Sequence, residues 1–186
     1  MQIKSVTRVG KSETTTFRFD SETIKSLRDE AKQKDISTNT LLNQIVKGHL
    51  KWHANASNAG FIAVTRFLIT NLISHLSEQE IISLAENVAK NTNKDTILLI
   101  ENEYTMKSSL DFIESWIKIS GYKYRHRKIN DGQNRHMYVI QHDMGIKWSI
   151  YLASIYQFLF EELRKDKRRI EFEKTENTLA FAVNCN

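Results

Sequence analysis

The stretch Thr14 to Phe19 constrains the fold of this chain more than any other feature, because its side chains divide into two faces. On an extended strand, successive side chains point to opposite faces. One face would carry Thr14, Thr16 and Arg18, and the other, mostly apolar, Thr15, Phe17 and Phe19. A strand this short needs a partner for its backbone groups and a surface for its apolar face. The helices that follow could supply the surface, and a second copy of the chain could supply the pairing.

Two short amphipathic helices are predicted directly after this strand. The first covers about 21–34, because Asp20 or Ser21 can cap its N-terminus and Glu22 lies in its first turn. The second covers about 39–53. The apolar positions at helical spacing are Ile24, Leu27 and Ala31 in the first helix, and Leu41, Leu42, Ile45, Val46 and Leu50 in the second.

A strand and two helices in this order resemble the ribbon-helix-helix family, the superfamily of the methionine and Arc repressors. The residues that carry the resemblance are Thr14 to Phe19, Asp20-Ser21-Glu22-Thr23-Ile24 and Ile36-Ser37-Thr38-Asn39-Thr40-Leu41-Leu42. In that family two chains pair their strands antiparallel, and the ribbon enters the DNA major groove. The resemblance therefore implies an intertwined homodimer that binds double-stranded DNA and regulates transcription.

The resemblance also implies which residues contact DNA. The base-contacting positions match Thr14, Thr16 and Arg18, and the Arg18 guanidinium fits O6 and N7 of a guanine. The family holds a phosphate at the start of its second helix, where Ser37, Thr38 and Asn39 lie. Helix N-termini are anion sites in general, although these residues could serve only as caps. Lys11 is a further candidate for a phosphate contact.

Charge supports a polyanionic partner for the N-terminal part. The net charge of the chain is +5; residues 1–55 hold ten Lys and Arg against six Asp and Glu, or +4, which leaves +1 for residues 56–186. Such an excess favours nucleic acid, although an ordinary solvated basic surface would have the same charge.

The sequence also bears on the compartment. Cys185 is the single cysteine, so no disulfide forms within the chain, as is typical of a reducing compartment. The N-terminus lacks an apolar signal core, and the most apolar run, Phe61 to Leu76, is shorter than the roughly 20 residues that a membrane span needs. We expect a cytoplasmic protein with no membrane association.

The small, polar residues 54–60 are interpreted as a domain boundary. We expect an N-terminal domain over 1–55 and a C-terminal domain over 61–186, the latter a mixed-sheet α+β domain of order α-α-β-α-β-β-α-β-β. Its predicted helices cover about 61–76, 78–91, 107–120 and 146–165; its predicted strands are a central one at 96–100 and hairpins at 122–129 with 134–142 and at 168–174 with 178–183. The combination of a ribbon-helix-helix head with a larger α+β body resembles the nickel-responsive repressor, whose body binds an effector and holds the oligomer together. The element order and length of this body depart from that plan.

The register of the first hairpin decides how its histidines are placed. With a turn at Asp131-Gly132 and a loop of two or four residues, His126 would lie opposite Met137, and His136 would point to the other face. Because His142 would also lie far from His136 along the strand, we predict no metal site. The same register would collect a basic face that could bind an anion or pair with Glu171 and Glu173; it comprises Lys123, Arg125, Arg127, His136 and Tyr138.

A possible ligand site lies where the second hairpin strand meets the long helix. A helix N-terminus there invites a polar or anionic ligand, and the candidate residues are His142, Gly145, Lys147 and Trp148. A glycine turn with a core tryptophan is the alternative. No nucleotide-binding glycine pattern, nucleophile elbow or suggestive carboxylate pair occurs in the sequence, so we expect neither an enzyme nor a cofactor. The competing hypothesis is an antitoxin-like or assembly protein that acts mainly through protein–protein contacts.

Overall fold

The computed structural model describes residues 13–129, 135–164 and 170–184. The chain divides into two compact units, Met1–Lys47, here called the head, and Gly48–Asn186, the body. This division falls before the predicted boundary at 54–60, where the chain instead ends a helix and turns at Gly60. The predictions for Lys11, Asp131-Gly132 and Cys185 lie outside the described residues.

The head contains the two predicted helices. Helix α1 is Ser21–Gln33, and the Asp20 carboxylate caps it by accepting a hydrogen bond from the Thr23 N–H at 2.8 Å. Asp35 takes a positive φ of 53°, which ends this helical segment. Helix α2 is Thr38–Gly48. Residues 13–20 have no regular secondary structure in the single chain, so the predicted ribbon strand is not formed there.

The body begins with a helical layer. Its helices are α3 (Ala54–Ala56), α4 (Arg66–Ser74), α5 (Glu78–Val88), α6 (Lys94–Glu101), α7 (Met106–Ile119) and α8 (Ile146–Leu163), with π-helical turns at His49–His53 and Ala89–Asn93. Helix α4 starts later than predicted because Thr65 caps it, accepting from the Leu68 N–H. Among the described residues, no helix is both long and apolar enough to cross a membrane.

The predicted central strand at 96–100 is wrong, because these residues belong to helix α6. Asp95 lies in the first turn of this helix, and Asn102 ends it in the left-handed conformation at φ 61°. Ile97 and Ile100 are buried, whereas Leu98 and Leu99 are partly exposed, as expected for one apolar face of a helix. A run of five apolar or β-branched residues fits either structure, and here its flanking residues decide for the helix.

The sheet of the body is antiparallel, not mixed as predicted. Its strands are β1 (Lys123–Ile129), β2 (Arg135–Gln141), β3 (Phe172–Lys174) and β4 (Thr178–Asn184), in the order β1-β2-β4-β3. Both predicted hairpins are confirmed, and the chain is an α+β protein. Because β1 and β3 form opposite edges of the sheet, Glu173 on β3 lies away from the cations of β1.

The predicted register of the first hairpin is wrong by one residue. Ile129 pairs with Arg135, so five residues lie between them instead of two or four, and His126 lies opposite Tyr138. A shift of one residue moves every side chain to the other face. His136 and Tyr138 therefore lie on the same face as His126, the inner face. The predicted basic face is wrong, because its Lys and Arg residues lie on the outer face.

The core of the body lies between the inner face of the sheet and helices α7 and α8. A row of aromatic rings crosses this face on directly paired residues: His126, Tyr138, Phe181 and Phe172. Tyr156 and Phe160 of α8 pack on the Phe181 ring, with centroids 5.5 and 5.8 Å away. This burial of large side chains gives the body a hydrophobic core of its own.

Candidate DNA-binding face and ligand site

The segment predicted to contact bases is exposed in the single chain. Thr14, Thr16 and Arg18 all have exposed side chains. On the other side of the segment, the rings of Phe17 and Phe19 lie 6.4 Å apart, as expected for residues two apart on an extended chain. The two phenyl rings are also exposed, by 63% and 42%. The polar residues are thus available to a ligand, and the apolar residues still lack a covering surface.

The start of α2 combines a cap with a possible anion site. The Ser37 hydroxyl oxygen accepts a hydrogen bond from the Thr40 N–H at 3.0 Å. The first turn of α2 contains no acidic residue, unlike that of α1, which contains Glu22. A phosphate near Thr38 and Asn39 would therefore be attracted by the helix dipole and would not be repelled by a carboxylate in the same turn.

His142, at the junction of β2 and α8, is completely buried, and its hydrogen bonds connect this junction to α8 and to the turn before β4. Its Nδ1 accepts from the Met144 N–H at 3.1 Å, so Nε2 carries the proton and donates to Ser149 Oγ at 2.8 Å. The Ser149 hydroxyl donates in turn to the Thr175 carbonyl at 2.6 Å. Burial lowers the pKa of His142 and keeps the ring neutral.

The start of α8 is covered by side chains of the same chain. The Glu176 carboxylate accepts from the Ile146 N–H at 3.1 Å, where we expected an anionic ligand. The Lys147 ammonium donates hydrogen bonds to the carbonyls of Ser74 and Leu76, both at 2.7 Å. These bonds satisfy carbonyl groups at the end of α4 and just after it. Gly145 has φ 82° and forms the turn. Of the four predicted ligand-site residues, Trp148 is the one that lines a large cavity.

The corrected register brings His126 and His136 together on the inner face. Their rings stack, with Nε2 of His126 2.9 Å from Nδ1 of His136, and Glu114 lies 3.7 Å from His126. Burial, followed by the charges of His126 and Lys128, lowers the pKa of His136. The described residues contain no group of three or more side chains arranged to hold a metal ion.

The outer face of the sheet carries exposed cations. They are Lys123, Arg125, Arg127 and Arg135, on β1 and β2. Sequence reasoning identified the first three as one set but missed Arg135, which the wrong register had assigned to the opposite face.

Comparison with protein-family models, with curated proteins and with solved structures finds no match to this chain. Its function is therefore inferred from its own residues.

Proposed function

We propose that the protein is a homodimeric DNA-binding regulator of transcription whose paired 14–19 segments form a ribbon that reads the major groove. The body would bind an effector or a partner. The observation that carries this proposal is the exposure of apolar side chains in the head, at the positions where a ribbon-helix-helix dimer needs its core.

The described part of the head buries few apolar side chains. In its described part, residues 13–47, the buried apolar residues are Ala31 and Leu41. Phe17, Phe19, Ile45 and Val46 are each more than 40% exposed. Chains shorter than about 40 residues usually need a metal, a disulfide or an oligomer to fold, and the head, Met1–Lys47, is close to that size. A second head would cover these residues and also pair the backbone of residues 14–19.

The polar side of the same segment has the chemistry that DNA requires. Arg18 offers a planar fork of donors for a guanine, and the hydroxyls of Thr14 and Thr16 can donate or accept. The start of α2, with Ser37, Thr38 and Asn39, would hold a backbone phosphate. The charge of residues 1–55 would double to +8 in a dimer, and this positive charge would favour association with DNA.

The test is selection of bound sequences from a random DNA pool by the full chain, followed by titration of the selected site. We expect a palindromic site and an affinity that falls steeply with salt. An Arg18→Ala variant should bind that site about ten- to a hundredfold more weakly and lose discrimination at one base pair in each half-site. Failure to enrich any sequence would remove the proposal.

The matched control is Arg28→Ala, which removes an exposed cation from α1, away from the predicted reading face. It should lower affinity slightly and equally for all sequences. Equal losses of sequence discrimination in the two variants would contradict direct reading by Arg18.

A second candidate is a protein-interaction module of the antitoxin or assembly type. It is favoured by helix α4, which exposes Phe67, Leu68 and Leu72 in the body. Contiguous exposed apolar residues mark protein contacts in many proteins. Co-purification of a stoichiometric protein partner, together with an absence of DNA selectivity, would support this candidate over the first.

A further inference from the structure

The exposed cations on the outer face of the sheet lie close enough together to act as one surface. The helices that pack against the sheet, α7 and α8, lie on its inner face and leave the outer face open. Lys123, Arg125 and Arg127 follow one another at every second residue of β1, about 6.8 Å apart. Arg135 of β2 lies diagonally across from Arg127, at roughly 7–8 Å. These four residues are called the outer cationic patch.

Carboxylates of the described strands do not neutralise this patch. None of the four residues directly opposite its members is acidic: they are Gln141, Val139, Met137 and Ile129. Among the described strand residues, Glu173 is the one acid on the outer face, and it lies on the far edge strand β3. Three strand spacings, or roughly 14 Å, separate it from Arg125 in the same row. Within the described part of the chain, none of the four cations forms an ion pair.

The outer cationic patch is a local separation of charge within a nearly neutral unit. The body contains eighteen Lys and Arg against sixteen Asp and Glu, or +2. Cations on an edge strand can serve only to prevent edge-to-edge pairing, but Arg135 belongs to the internal strand β2. Like charges that lie side by side without partners repel one another, so a bound anion would relieve this repulsion.

The other side chains of this face favour the phosphates of a duplex over other anionic partners. Three of the four cations are arginines, whose planar guanidinium binds phosphate oxygens in pairs. No large apolar side chain of the described strands is strongly exposed, whereas protein interfaces and membrane surfaces are bound through such anchors. The described outer face also carries no aromatic ring, so the bases of a single strand would have nothing to stack on.

We propose that the outer cationic patch binds the phosphate backbone of double-stranded DNA without reading its sequence. This would be a second contact with nucleic acid, made by the body and different in chemistry from the base contacts proposed for the head. The choice of DNA as the duplex rests on the proposed function, whereas the phosphate chemistry rests on the patch itself. Contacts of this kind raise affinity and salt dependence and carry no base information.

Salt-dependent titration of the full chain with a labelled, mixed-sequence duplex tests this proposal. Fluorescence anisotropy gives the affinity, and the slope of log affinity against log salt counts the phosphate contacts. Arg125→Gln combined with Arg127→Gln should make this slope shallower by about two, since each lost contact removes about one. An unchanged slope in this double variant would overturn the proposal.

The matched control removes the same charge from exposed residues off the outer face. It combines Lys107→Gln on α7 with Lys128→Gln, which belongs to β1 but alternates with the patch and faces the other side. This double variant should leave the slope nearly unchanged. Equal reductions in the two double variants would show that only net charge matters and would overturn the patch as a site.

A charge-conserving variant separates phosphate binding from a structural role. Arg125→Lys combined with Arg127→Lys keeps both cations, so the salt slope should be retained, although the loss of paired hydrogen bonds lowers the affinity. The unfolding midpoint should not change in either double variant of the patch, because the side chains are exposed. A slope that falls as far in the lysine variant as in the glutamine variant would contradict the proposal.

Adding a cation tests the location without removing any side chain from the patch. Gln141 is exposed and lies opposite Lys123 on the outer face. Gln141→Arg should therefore steepen the slope by about one. Gln79→Arg adds the same charge at an exposed position on α5 and should change the slope little. No steepening in Gln141→Arg, or equal steepening in both variants, would place the duplex elsewhere and overturn the proposal.

Competition experiments test the class of partner. At equal concentration of negative charge, polyglutamate and vesicles of anionic lipid should displace the labelled duplex much less than unlabelled duplex does, because duplex DNA carries a denser array of charge. Equal displacement by either competitor would overturn the choice of a duplex.

The two proposals fail separately in these experiments. If no DNA sequence is enriched but the slope still depends on the patch, sequence reading by the head is lost and backbone binding by the body stands. If a site is enriched and the slope does not depend on the patch, only the present inference is overturned.

Discussion

The head exposes both of its phenylalanines, whereas the body buries or half-buries all of its phenylalanines except Phe67. In the body, Phe160 is completely buried and Phe181 is 3% exposed, and both pack in one core with Tyr138. In the head, Phe17 and Phe19 are largely exposed. Burying a phenylalanine gains roughly 1.5–3 kcal/mol. The body gains this free energy within one chain, and in the proposed dimer the head would gain it against the second copy.

This difference implies two kinds of stability in one chain. The body should unfold at a denaturant concentration that does not depend on protein concentration. Formation of the head should follow mass action, because folding and association are then the same event. The three tryptophans, Trp52, Trp116 and Trp148, all belong to the body, so their fluorescence reports on the body alone.

The largest expected effect comes from truncating one phenylalanine in each unit. Phe160→Ala should lower the free energy of unfolding of the body by about 3–5 kcal/mol, because it leaves a cavity in a packed core. Phe17→Ala should leave that transition unchanged and shift the proposed dimer toward monomer. Denaturant titration by tryptophan fluorescence measures the first effect, and sedimentation the second. A dimer unaffected by Phe17→Ala would remove the distinction between the two units.

A backbone change in the body should have the next largest effect. Gly145 has φ 82° at the start of α8, and an added Cβ would come no closer than 4.0 Å to Glu176. The cost of Gly145→Ala is therefore conformational, about 1–3 kcal/mol. Gly48→Ala is the control, because Gly48 has a helical φ of −63° and open space around it. It should stabilise the helix by about 0.5–1 kcal/mol, so equal destabilisation in both variants would contradict this account.

Acid should destabilise the body through the buried His142 and the half-buried His136. Burial and the charge of Arg66 lower the folded-state pKa of His142, opposed by Asp143, and His136 is lowered as well. The unfolded chain then binds more protons in acid, so the stability is complete above about pH 6.5 and is lost as the pH falls through the lowered folded-state pKa. Melting midpoints measured across this range should decrease toward acid.

His142→Gln tests the source of that slope. The amide can still donate toward Ser149 but does not titrate, so the variant should keep only the shallower pH dependence due to His136. An unchanged pH profile in this variant would mean that the acid sensitivity arises elsewhere.

The sequence correctly predicted the helices that begin or end at a capping residue. Asp20 caps α1 as predicted. The helix predicted at 78–91 begins at a capping box of Ser77 and Glu80, and the helix predicted at 107–120 is followed by Gly121 at φ 66°. The errors arose where composition alone fits more than one structure. Thr96–Ile100 could be a strand or a helix by composition, and the hairpin register depended on a loop length that the Asp131-Gly132 signal does not fix.

The cavity of the body was beyond sequence reasoning for a similar reason. Trp148 was identified as a candidate, but as part of a helix start that Glu176 covers. Tyr156 lies about two turns further along α8 in a pattern that is typical of core. Only the packing of α5, α7 and α8 creates the cavity that Trp148 and Tyr156 line.

The smallest expected effects come from a matched pair of helix caps. In the body, Ser77 Oγ accepts from the Glu80 N–H at 3.3 Å, and the Glu80 carboxylate accepts from the Ser77 N–H at 2.7 Å. Ser77→Ala should therefore lower the free energy of unfolding of the body by about 1 kcal/mol.

In the head, Ser37 caps α2 through the Thr40 N–H. Ser37→Ala should leave the tryptophan-monitored transition of the body unchanged, because the lost cap belongs to a unit with a separate equilibrium. It should instead weaken the dimer, and it should weaken DNA binding at a fixed dimer concentration if the start of α2 holds a phosphate. The same loss for all DNA sequences is expected, since a phosphate contact carries no base information. A shift of the body's unfolding midpoint as large as that of Ser77→Ala would show that the two units unfold together.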